Sequence, residues 1–99
     1  MSEVSMEVSF SGVLADGRPH HAIGRVKAVG RWRGAVEPHL EADRSAVLSA
    51  LMREAEDYGA DALTEVIFEI EEAPGADIDR VGRRRVVATG SAVRFAMAA

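Results

Sequence analysis

Asp43-Arg44-Ser45-Ala46-Val47-Leu48-Ser49-Ala50-Leu51-Met52-Arg53-Glu54-Ala55-Glu56-Asp57-Tyr58-Gly59-Ala60-Asp61-Ala62-Leu63-Thr64-Glu65-Val66-Ile67-Phe68-Glu69-Ile70-Glu71-Glu72 changes its hydrophobic period partway along, and that change decides the fold. In the first half, Val47, Leu48, Leu51, Met52, Ala55 and Tyr58 recur at three- and four-residue steps, with Arg53, Glu56 and Asp57 outside the stripe. This is an amphipathic helix with one buried face. Gly59 ends it, because a residue without a Cβ can take the left-handed conformation of a helix cap. The helix starts either near Pro38, where a missing N–H costs nothing in the first turn, or at Asp43. After Asp61 the period falls to two. Thr64, Val66, Phe68 and Ile70 make one face of a strand and Glu65, Glu69 and Glu71 the other, with Leu63 and Ile67 interspersed.

Working outward, Ala73-Pro74-Gly75 and the polar stretch to Gly82 read as a loop. Residues 84–97 are a final strand, with Val87, Val93, Phe95 and Met97 on one side. A simple hairpin register sets Glu71 and Glu72 beside Arg84 and Arg83, as cross-strand charge pairs. Before the helix, Val4, Met6, Val8 and Phe10 alternate with Glu3, Ser5, Glu7 and Ser9, the pattern of a half-buried strand. Asp16-Gly17 then signals a hairpin returning through Ile23 to Val29. An odd-numbered turn puts Val4, Met6 and Val8 on the side of Val26 and Ala28, whereas a two-residue turn sets them against Arg25 and Lys27. Pro19, without a donor, places its strand at an edge or just past the turn.

The expected class is therefore α+β: one domain over residues 1–99, ordered β-β-α-β-β, with a four-stranded antiparallel sheet and one helix on one face. The other face then leaves Leu63, Ile67, Val86 and Ala88 among charges, a surface for a partner. Ala88, Gly90 and Ala92 form a flat row. Either a second subunit or the chain's own helix packs there.

Composition bounds the function. Among 99 residues the 47 % apolar content includes five aromatics, Phe10, Trp32, Tyr58, Phe68 and Phe95, a thin supply for an isolated core that oligomerisation can offset. The absence of cysteine removes disulfides, thiolate metal sites and cysteine nucleophiles. A formal charge of −4 argues against nucleic acid as a partner. No apolar run reaches the ~18 residues of a membrane span, and the first residues lack a basic, then apolar, leader. A cytoplasmic protein is expected.

Three short motifs carry a resemblance. Gly59-Ala60-Asp61-Ala62-Leu63, leading into Val66-Ile67-Phe68, resembles the helix-end "GANA-hydrophobic" motif of the YbjQ-like proteins. Ala88-Thr89-Gly90-Ser91-Ala92-Val93 is similar to their "A-x-G-T-A-V" terminal strand, and Ile23-Gly24-Arg25-Val26 to their "G-x-V" second strand. The resemblance implies a dodecin-like β-α-β-β subunit assembling into a ring, commonly a pentamer, in a family whose heavy-metal-binding label rests on no characterised activity. Residues 30–42 depart from that pattern, being shorter and without its Gly- and Ser-rich insert. The departure bears on ring size more than on fold.

Each candidate for chemistry has a plainer alternative. His20, His21 and His39 are the imidazoles that could hold a divalent metal, but adjacent strand residues point to opposite faces and no carboxylate stands beside them at ligand spacing. Arg31, Trp32 and Arg33 could stack on and pair with a nucleotide or phosphate; an apolar plug between solvated arginines explains them as well. Arg83-Arg84-Arg85 is balanced by Glu69, Glu71 and Glu72 across the hairpin. Glu65, Glu69 and Glu71 lie on one strand face about 7 Å apart, yet nothing suggests a pocket around them. The leading expectation is a homo-oligomeric binding or structural module, with no catalytic residue and with a metal or small ligand at subunit interfaces. Leu63, Ile67, Ala88, Gly90 and Ala92 are its interface candidates. The alternatives are a protein-interaction module using an exposed sheet face and an enzyme whose site is shared between subunits.

Overall fold

The structure, a computed structural model, describes residues 6–34, 40–73 and 82–96. The chain is α+β, with one helix and a mixed sheet of five strands. The strands are β1 (Glu7–Val8), β2 (His20–Val29), β3 (Arg33–Gly34), β4 (Ala62–Ala73) and β5 (Arg83–Phe95), and the helix α1 is Leu40–Asp57. The sheet runs β1-β4-β5-β2, with β3 also paired to β5. The helix is already in place at Leu40, ahead of Asp43, while Pro38 lies outside the described residues. It ends as a Schellman motif: Gly59 has φ 87°, its N–H bonds the Glu56 carbonyl at 2.9 Å, and Ala60 N–H bonds that of Ala55 at 3.0 Å.

The expected hairpin between the first two strands does not form. β1 is two residues long and runs parallel to β4, with Glu7 opposite Ala62 and Val8 opposite Leu63. After Val8 the backbone of Ser9 and Ser11 still bonds β4, and side-chain hydroxyls shape the turn beyond it. Ser9 Oγ donates to Val13 O at 2.7 Å, and Val13 N–H donates to Ser11 Oγ at 3.2 Å. Such local bonds offer the backbone an alternative to strand pairing. The Asp16-Gly17 turn itself is present, with Gly17 at φ 68° and its N–H on Leu14 O at 2.9 Å. It joins an irregular loop to β2. Asp16 accepts the Arg18 backbone N–H, which, with the Arg18 guanidinium, holds its carboxyl below the usual range. Met6 and Val8 still share a cluster with Val26 and Ala28, reached through β4 rather than through a hairpin.

β5 is the centre of the sheet, and each neighbour carries one extra residue against it, in β2 between Ala22 and Gly24 and in β4 between Thr64 and Ile67. These bulges reset which residues face the helix. In β4 the bulge holds Glu65 at φ 53°, tied by Glu65 N–H to Ser11 O at 2.8 Å and Val66 N–H to Ser9 O at 3.3 Å. Leu63, Val66 and Phe68 lie on the helix side; Thr64, expected with them, is turned to the other. α1 packs Val47, Leu51 and Ala55 onto Val26, Val86, Ala88 and Ala92. Leu63, Val86 and Ala88, expected on the exposed face, are therefore in the core, each at most 2 % exposed. Tyr58, expected in the helix stripe, is 55 % exposed and rests on Gly24, where a Cβ would meet its ring at 2.6 Å.

Leu14 closes one end of the opposite face. It is 1 % exposed against Ala62 and Val93, with Phe95 beside them and Arg18 stacked 4.2 Å over the Phe95 ring. At the other end the charge register is one residue from the simple expectation. Arg85 pairs with Glu71 at 2.6 Å and Arg84 with Glu72 at 3.1 Å.

Candidate functional site

The helix N-terminal half and the end of β2 frame a cleft of about 340 Å³. Ala42, Ala46 and Ala50 recur every fourth residue along its helix wall, which keeps that wall low. Val29 and Gly30 line the strand side, with Arg31, Arg33 and Asp43. Gly30 permits the close approach: a Cβ there would lie 3.0 Å from Val47 Cγ2 and 3.1 Å from the Val86 carbonyl oxygen.

Arg33 and Asp43 form the strongest polar contact described. Nη2 donates to Oδ1 at 2.8 Å and Nε to Oδ2 at 2.9 Å. Both side chains are largely covered, at 24 % and 10 % exposure, so this two-pronged geometry is worth more than a surface pair. Arg33 is consequently committed to the fold and is not a solvated neighbour of a plug. Trp32 is 40 % exposed, and its ring carries the Arg85 guanidinium at 4.4 Å while Arg85 Nε donates to Glu71 Oε1 at 2.7 Å. Arg31 remains exposed at the cleft. The Arg31–Trp32–Arg33 run thus splits into three roles. The partners Asp43 and Arg85 lie ten or more positions away, and no spacing rule signals them.

His20 and His21 open β2 opposite Phe95 and Arg94 and point to opposite faces of the sheet. Nδ1 of His20 lies 3.0 Å from the Arg18 carbonyl oxygen. His39 lies outside the described residues, and among the described residues no three of His, Asp and Glu group as metal ligands. The described donors do not compose a metal site within one chain. Glu65, Glu69 and Glu71 do not form an acid–base set either, since the bulge displaces Glu65 and Arg85 holds Glu71.

Of the interface candidates, Ile67 is 50 % exposed, while Leu63, Ala88 and Ala92 are fully buried and Gly90 is buried with them. A Cβ on Gly90 would stand 3.3 Å from Val66 Cγ2, 3.4 Å from Leu63 Cδ2 and 3.4 Å from the Thr64 carbonyl oxygen. Gly90→Val is accordingly expected to destabilise the fold by about 1–3 kcal/mol through overpacking, measured by urea unfolding. Unchanged stability would mean that the row is looser than it is drawn here.

Further apolar surface reaches solvent along the outer edge of β4. Beyond Val66 the outer edge of β4 has no strand beside it among the described residues. Along it stand Phe10 at 63 % exposure and Ile70 at 46 %, with Leu40 at 43 % on the adjoining helix turn. The Phe10 ring lies 6.1 Å from that of Phe68, over which Arg44 sits at 5.7 Å. On the far side, all ten residues of β2 also present an unpaired edge among the described residues.

Comparison with known proteins agrees with this architecture. A crystal structure of a protein of unknown function from Pediococcus pentosaceus, of the DUF74 family, is similar with a TM-score of 0.66. The match covers 92 % of this chain and 98 % of that one at 10 % identity, a likeness of fold. No curated protein matches. No described helix is long and apolar enough to cross a membrane. The model of the YbjQ family, described as "Putative heavy-metal-binding", matches residues 22–96, from β2 through β5, and the chain belongs to that family.

Proposed function

We propose that this protein is a non-catalytic, self-assembling binding module of the cytoplasm, a dodecin-like subunit whose principal partner is itself rather than nucleic acid or membrane. The observation that carries the reading is the open β4 edge with Phe10, Ile70 and Leu40 exposed along it. Unpaired N–H and C=O groups bordered by apolar side chains are a template for another strand. The unpaired β2 edge supplies that strand from a neighbouring copy. A contact between two different edges is head-to-tail, and it closes into a ring when the rotation allows.

The cleft between β2 and α1 is the ligand position in this reading. Arg31 stands at its β2 end, near enough to the β2 edge for a neighbouring copy to complete the site. A metal bound by the assembly would draw donors from more than one chain, since the described donors of one chain do not converge.

Native mass spectrometry tests this, because one spectrum gives copy number and bound mass. The wild type is expected as a multimer. Ile70→Glu places a charge on the edge patch without touching the core and is expected to lower the particle mass severalfold. A monomeric wild type, or an Ile70→Glu variant of unchanged mass, would overturn the assignment.

A further inference from the structure

Among the described residues, the face of the sheet turned away from α1 is covered at its two ends. Leu14 plugs it over Val93, and Trp32, Arg85 and Glu71 bound it at the other end. Between them the register sets out rows on one face: Arg25 beside Ser91, Lys27–Thr89–Ile67, and Val29–Val87–Glu69. The middle strand contributes a low floor, with Val87 and Ser91 each 5 % exposed and Thr89 half-buried. The flanking strands stand above it, Val29 at 48 % and Ile67 at 50 % exposure.

The two ridges differ in charge. The β2 ridge carries Arg25 and Lys27, and the β4 ridge carries Glu69 beside Ile67. β5 separates them, so Lys27 and Glu69 lie roughly 10 Å apart or more and do not meet within one chain. Arg25, Lys27 and Glu69 are exposed and make no salt bridge among the described residues. Rotation by half a turn about an axis along β5 exchanges the two sides of this face. A second copy placed so would lay its basic ridge over the first copy's acidic ridge, and the reverse, in one step.

We propose that this face is a two-fold interface with the same face of a second copy, in which Lys27 of each copy lies over Ile67 of the other and reaches one row along to its Glu69, around an apolar strip of Val29, Val87 and Ile67. Two-fold contacts of this kind use one self-complementary patch twice, and packed sheets lie about 10 Å apart with their side chains filling the gap. The patch spans a few rows on three strands and is smaller than the roughly 800 Å² per partner of a stable isolated interface. It therefore acts best when several copies present it together, where each contact makes the next effectively intramolecular. Being exposed and charged, it is salt-sensitive. It is independent of the edge-to-edge contact of β4 and β2.

Charge exchange in the full chain tests it, read as copy number by native mass spectrometry and sedimentation at low salt. Lys27→Glu alone and Glu69→Lys alone each set like charges together and are expected to halve the copy number. Mixing the two variants in equal amounts joins an all-acidic face to an all-basic one and is expected to restore it. Ile70→Glu is expected to leave mostly single chains that pair weakly at high protein concentration, because it breaks the edge contact and leaves only the small face. If Lys27→Glu keeps the wild-type count, or the mixture fails to recover it, the face is not a contact between copies and the proposal falls. The edge-mediated assembly would survive that result, whereas a monomeric wild type would remove both.

Discussion

Alanine in place of Leu51 is expected to lower stability by about 2–5 kcal/mol, in the upper half of the range seen for large-to-small core changes. Leu51 is fully buried at the middle of the helix face that meets the sheet. Around it stand Ala55, Ala88 and Ala92, all fully buried. Alanines cannot reach into the space that a lost isobutyl group leaves, so the cavity persists and its lining loses contacts outright. For a chain of this length each kcal/mol moves the midpoint by roughly 4–8 °C, giving a fall of about 10–40 °C. Circular dichroism melts at two protein concentrations separate this loss from any change in assembly. A shift of only a few degrees would mean that the helix does not anchor this face.

Asp43→Ala is expected to cost about 2–4 kcal/mol, far more than an exposed acidic residue in a first helical turn contributes. It deletes two oxygens that accept from the Arg33 guanidinium, at 2.8 and 2.9 Å, and takes a close counter-charge from a cation that is 24 % exposed. Removing one member of a covered pair is costly because of what remains, whereas replacing both by apolar groups can be nearly neutral. Arg33→Met with Asp43→Leu is therefore expected to recover most of the loss. A double-mutant cycle in urea measures the coupling. If Asp43→Ala falls within about 0.5 kcal/mol of wild type, water satisfies Arg33 and the pair is ornamental.

These two residues show where sequence reading works and where it stops. Leu51 was legible, because its place in a 3.6-residue stripe depends only on its neighbours in the chain. Asp43 reads as nothing more than a helix start, since its partner lies across a segment with no period. The same division runs through the candidate site. Gly90 and its alanine neighbours are visibly small, but only the three-dimensional arrangement shows that Ala88 and Ala92 share the core with the chain's own helix and that Gly90 packs against Val66 and Leu63. Trp32 is visibly unusual, but that Arg85 stacks on it depends on β3 and β5 lying side by side.

The sequence by itself determined the helix, its Gly59 cap and the long β4–β5 pair, all built from contacts within a few residues or across one connection, together with the family motifs that ride on them. Tertiary structure alone decided the rest. β1 lies beside β4 instead of β2, and the backbone of Ser9 and Ser11 stays bonded to the β4 bulge while the serine hydroxyls fold the chain beyond it. One added residue in β2 and one in β4 then reset the faces. Side chains alternate strictly along a strand, so a single bulge moves everything beyond it to the other side. A periodicity count carries no record of where that step occurs. The exposed β4 edge and the charged face over β5 follow from that step.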